Sequence, residues 1–146
     1  MSTRCQIGFY DNPKQKNLRK FTALVYRHSD GYPGKEDGSD YGVLTDIVPF
    51  LKWFNKERGL SDTEYAAARC LQHLCNTYDT QVTKDSKQFF GTPNTDDAGL
   101  LGHGICRGFH GDIEYFYAVY PDRLEVYDTP FDAEPDKWKL IETIKL

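Results

Sequence analysis

Hydrophobic residues recur at every second position near both ends of this chain and at every third or fourth position between residues 44 and 78. A period of two belongs to a half-buried strand, and a period near 3.6 belongs to a helix with one apolar stripe. The order is therefore strands, then helices, then strands. Such grouping predicts the α+β class, with an antiparallel sheet and an αα-hairpin packed on one face, in the order ββααβββ. A chain of 146 residues can bury one real core, and no repeat or linker divides it. Residues 1–146 are expected to form a single α+β domain.

The first strand is expected over residues 4–10, where Cys5, Ile7 and Phe9 alternate with Gln6 and Gly8. The second is expected over 21–28, pairing antiparallel across a long polar connection. Leu44, Ile47, Val48, Leu51 and Phe54 then share a helical face, interrupted by Pro49. Either the helix kinks there or it begins near Pro49. Gly59 suits the position just past its end. Ser61 and Glu64 have the spacing of a capping box, and Leu60 could staple against Tyr65. Ala67, Cys70, Leu71, Leu74 and Tyr78 continue as the stripe of a second helix. Residues 80–94 are polar and unpatterned, with a loop over 92–97. Strands are expected over 112–120, 124–127 and 138–146.

The formal net charge is −4. No basic stripe marks a general nucleic-acid binder. The one basic cluster, Lys14, Lys16, Arg19 and Lys20, reads as a solvated turn, with an anion-binding patch as the alternative. No stretch approaches the ~20 apolar residues of a membrane span, and the opening residues lack a signal-peptide core. A cytoplasmic location without membrane contact is expected, and Cys5, Cys70, Cys75 and Cys106 would then be reduced. Aromatic residues make up 14% of the chain. Tyr115, Phe116, Tyr117, Tyr120, Tyr127 and Trp138 crowd the C-terminal strands. One set should be core, while the other could be amphipathic cover or an exposed stacking or docking surface.

Two stretches could carry chemistry. If the second strand continues, alternation puts His28, Asp30 and Tyr32 on one side. A carboxylate beside an imidazole orients it for acid–base work. Equally, Asp30-Gly31 reads as a structural turn. The other stretch is residues 102–112, glycine-rich and carrying His103, Cys106, Arg107, His110 and Asp112. It misses a dinucleotide fingerprint because Arg107 replaces the last glycine, but its backbone could hold an anion. His103, Cys106 and His110 are a weak metal alternative, since their spacing matches no common closed zinc pattern. Cys106 near the two histidines is the only thiol–imidazole set on view.

The segment Tyr26-Arg27-His28-Ser29-Asp30-Gly31-Tyr32-Pro33 resembles the Y-x-H-x-D-G-Y-P signature of an uncharacterised family of small phage and bacterial proteins. The entry through Ser2-Thr3-Arg4 and the closing strands also resemble it. Where many members carry Trp between His and Asp, this chain has Ser29, which removes a stacking surface. The resemblance implies a phage or accessory bacterial setting, such as host modulation. The residues themselves suggest a non-enzymatic binding protein that sequesters a small anionic, nucleotide-like ligand, or docks on a host protein. Tyr26, Arg27, His28, Asp30, Tyr32, Arg107 and His110 are the expected ligand-binding residues, with no cofactor. The alternative is a small hydrolase or transferase with His28 and Asp30 as its acid–base pair.

Overall fold

The computed structural model describes residues 3–90 and 101–146, apart from the side chains of 86–90. The loop expected over 92–97 lies outside the described residues. The chain runs β1 (Cys5–Phe9), β2 (Ala23–Arg27), α1 (Val43–Glu57), α2 (Thr63–Leu74), α3 (Thr80–Phe90), β3 (His103–Ile105), β4 (Tyr115–Val119), β5 (Arg123–Asp128) and β6 (Lys139–Lys145). A π-helical turn, Cys75–Asp79, joins α2 to α3.

The class is α+β as expected, but the sheet is mixed and has six strands, in the order β3-β2-β1-β4-β5-β6. β1 pairs antiparallel with β2 and parallel with β4. The chain leaves the sheet after β2, crosses it as helices, and re-enters on both sides of the first hairpin. The expected ββααβββ order missed β3, whose three residues His-Gly-Ile are too few for a period to show. Residues 80–90, read as unpatterned, extend the second helix as α3.

α1 and α2 cover one sheet face. Cys5, Ile7, Phe9, Val25, Tyr117, Val119, Leu124 and Val126 meet Leu44, Ile47, Leu51, Ala66, Cys70 and Leu74 in the main core. The helix α1 starts six residues before Pro49 and runs on to Glu57. Its fully buried residues lie on both sides of the proline, so core packing holds the helix across it. The Ser61–Glu64 capping box does not form. α2 begins one residue late for it, with Asp62 at the N-cap and no side-chain cap.

The opposite sheet face is also buried, without helices. Tyr10, Leu18, Leu24, Ile113, Phe116, Ala118 and Tyr120 form a second core, with Phe109 and Trp138 packed on it. The Phe109 ring lies 5.3 Å from Phe116 and 5.0 Å from Trp138. The crowded aromatics are therefore core on both faces, and no exposed stacking surface is made from the alternate set. The basic turn after β1 is tied down by Tyr10 and Tyr120, which donate to the carbonyls of Leu18 and Gln15 at 2.6 and 2.9 Å. Arg19 pairs there with exposed Glu134. No described helix is long and apolar enough to cross a membrane.

The Asp30-Gly31-Tyr32-Pro33 corner joins these layers. The Gly31 N–H donates to Thr3 at 2.9 Å, and its carbonyl accepts from Tyr117 at 2.7 Å. The carbonyls of Tyr32 and Pro33 accept from Val43 and Leu44, both at 2.9 Å. Two donors that every helix leaves unpaired at its start are thus satisfied. The corner closes tightly on Gly42, where an added Cβ would lie 2.4 Å from the Pro33 oxygen. Gly42→Ala should lower stability by about 1–3 kcal/mol through this overlap. Gly104→Ala, whose Cβ would meet nothing within 4 Å, is the control. Thermal unfolding of the two variants checks the difference.

Candidate functional site

β2 ends at Arg27, and Asp30 turns into the left-handed region at φ 55°. The alternation expected to align residues 28, 30 and 32 therefore stops short. Tyr26 and His28 lie on the loop-covered side of the sheet, while Arg27, Asp30 and Tyr32 belong to the helix-covered side.

On the loop side the two stretches do meet. The Tyr26 ring sits 4.8 Å from the His110 ring, and its hydroxyl lies 3.1 Å from His28 Nδ1. Arg4 Nε donates to the same nitrogen at 3.5 Å and pairs through its other end with Asp112 at 3.1 Å. Cys106 Sγ approaches His110 Nε2 at 3.7 Å. Buried Gln6 fixes the loop: its amide donates to Gly108 at 3.1 Å and accepts from the His110 N–H at 3.0 Å. Arg107 is exposed. Arg4 and Gln6 were missed as partners because only the register of β1 against β2 brings them here.

On the helix side a polar network surrounds Arg27, whose side chain is 0% exposed. Its guanidinium donates to Asp46 at 2.7 Å and to the Ser29 carbonyl at 2.9 Å, and lies 4.0 Å over the Tyr78 ring. Tyr41 donates to Asp46 at 2.6 Å. Tyr78 and Tyr32 donate to the two oxygens of Asp30 at 2.8 and 3.1 Å. Burial first, then the hydrogen bonds to Asp46 and Asp30, push the Tyr41 and Tyr78 phenols up, so both act as donors. His28 and Asp30 are thus held by different partners and do not form the acid–base pair considered above. The hollow beside this network, about 410 Å³, is rimmed by Asp30, Asp46 and Asp85.

The three metal candidates separate too. His103 turns inward and pairs through Nδ1 with Asp79 at 2.5 Å, both side chains fully buried. Gly102 must lack a side chain here, since a Cβ would meet Asp79 at 2.1 Å. Cys106 and His110 lie with the loops. Among the described residues, no group of three or more His, Cys, Asp or Glu could hold a metal.

Another hollow lies between α1 and α2, with a volume of about 360 Å³. Phe50, Trp53, Phe54 and Glu57 line one wall, and Tyr65, Arg69 and His73 the other. Trp53 is 57% exposed. The His73 ring stacks on Phe50 at 4.7 Å and 17°. Its Nε2 lies 3.2 Å from the Asp46 carbonyl, which can only accept, so Nε2 carries the proton. The Tyr65 ring carries two guanidiniums, Arg58 at 3.9 Å and Arg69 at 4.6 Å. Both remain at the surface, where Arg58 meets Asp62 at 3.2 Å and Arg69 meets Gln72 at 3.0 Å. The sequence did hold a signal for this groove. Three aromatics fall within five residues of α1, more than one buried stripe needs.

Comparison with known proteins returns no match: no family profile, no curated protein and no solved structure aligns with this chain.

The network around Arg27 makes its own prediction. Asp46→Ala leaves a buried guanidinium without its carboxylate and should cost about 3–5 kcal/mol in urea unfolding. The apolar double variant Arg27→Met/Asp46→Leu should cost clearly less, because no charge is then stranded.

Proposed function

We propose that this chain is a non-enzymatic binding protein that captures a small, planar, anionic ligand of nucleotide-like chemistry in the α1–α2 groove. The observation that carries this reading is the pairing of exposed aromatic rings with two surface guanidiniums in one hollow. A volume of about 360 Å³ falls in the range of small-molecule sites. Trp53 offers a face for a planar ring, and Arg58 and Arg69 can turn to an anionic group. Their present partners are exposed ones, and exposed pairs hold by only ~0–1 kcal/mol, so a bound anion can displace them. Charge-assisted bonds to such an anion are the stronger kind.

This reading keeps the ligand class suggested by the residues and moves its site. Arg27 is unsuited to phosphate because its guanidinium is sealed against Asp46. The hollow next to it presents three carboxylates, which would repel an anion. The setting in phage or host modulation rests on the sequence resemblance alone.

Purified protein mixed with a pool of mononucleotides tests the proposal through Trp53 fluorescence and mass spectrometry of the pool. Saturable quenching, with nucleotides retained and chemically unchanged, is the expected result. Arg58→Gln/Arg69→Gln should weaken retention about tenfold or more, in line with the loss of a charged hydrogen bond. Conversion of the nucleotides would replace the reading by an enzymatic one. Absence of any retention would replace it by a protein partner.

A further inference from the structure

The loop-side cluster is left unused by the groove, and it contains a nucleophile beside a base. Cys106 Sγ lies 3.7 Å from His110 Nε2, at the partly exposed end of β3. A thiol becomes reactive as its thiolate, and a neighbouring imidazole is the usual acceptor of the proton. The pair is placed from both sides. The Cys106 N–H donates to Leu24 at 3.0 Å, which fixes the cysteine to the sheet edge. The His110 N–H donates to buried Gln6 at 3.0 Å, and its ring rests on Tyr26 at 4.8 Å. Nucleophile and base are therefore both present, each anchored through its own backbone.

The other cysteines are placed differently. Cys5 and Cys70 are fully buried, and burial pushes both thiols up to about 12. Cys75 is raised by burial and then by Asp79, to which its thiol donates at 3.4 Å. Cys106 is only partly buried. Arg4, shared with Asp112, reaches His28 at 3.5 Å across Tyr26. Arg107 is exposed next to the cysteine in sequence.

We propose that Cys106 and His110 form a thiol–imidazole site that takes up small anionic disulfides by thiol–disulfide exchange. The Cys106 thiol passes its proton to His110 Nε2, and the thiolate attacks one sulfur of the disulfide. A new S–S bond to Cys106 forms as the disulfide's own bond breaks. The departing thiolate takes the proton back from the imidazolium. The disulfide is the only oxidant consumed, and one small thiol is released.

The test uses 5,5′-dithiobis(2-nitrobenzoate) as the anionic disulfide, with the native protein in sub-stoichiometric labelling. Released thionitrobenzoate gives the rate, and peptide mapping gives the site. Cys106 should carry the first label. Cys106→Ser should remove that fast phase, whereas Cys75→Ser should keep it. His110→Gln should slow it about tenfold at neutral pH. First labelling at another cysteine would overturn the proposal, and so would an unchanged rate in His110→Gln. Mapping on the unaltered protein decides the site even if a variant folds poorly.

Discussion

The guanidinium of Arg27 is fully enclosed, and the arrangement of sheet and helices depends on how it is neutralised. It rises from β2, meets Asp46 on α1, lies over Tyr78 of the π turn and donates to the Ser29 carbonyl. One charge thereby fixes three elements. A buried cation is tolerated only when its donors are met and its charge is balanced. That demand explains the tyrosines around it. Tyr41 and Tyr78 bring neutral donors to the carboxylates on either side: Tyr41 shares Asp46 Oδ2 with Arg27, and Tyr78 with Tyr32 fills both oxygens of Asp30. The π turn belongs to the same arrangement. Tyr78 and Asp79 are both buried within it.

The corner that follows β2 carries the rest of the assembly. Its carbonyls cap α1, and its glycine rests against the start of β1 and the hydroxyl of Tyr117. A segment that reads as a turn, with chemistry suggested by its His and Asp, is here mainly a tie between layers. The consequence for function is a division of labour. The polar residues with the most hydrogen bonds serve the fold. The proposed binding and thiol sites instead draw on more exposed side chains, on the helix groove and on the loop side of the sheet.

Much of this was legible locally. The β1–β2 and β4–β5 pairings follow from alternation, and the helix pair follows from the 3.6-residue period. The stripe through Leu44, Leu51 and Phe54 correctly marked a buried face. Other features had no local trace. β3 has three residues, and its neighbour in the sheet lies 80 positions earlier, from Ile105 to Val25. The Ser61–Glu64 pair had the right spacing for a cap, but the helix starts one residue later, at Asp62, with Leu60 and Thr63 buried on either side. His28, Asp30 and Tyr32 would share a face only in a continuing strand, and the left-handed Asp30 ends it.

From the amino-acid order alone came the α+β class, the single run of strands, helices and strands, and the abundance of rings. These depend on periods of two and 3.6, which are set within a few residues of chain. The tertiary structure alone decided the parallel pairing of β1 with β4, the burial of Arg27 and the meeting of Tyr26 with His110. Each joins residues through packing or sheet register, and neither leaves a pattern in neighbouring positions.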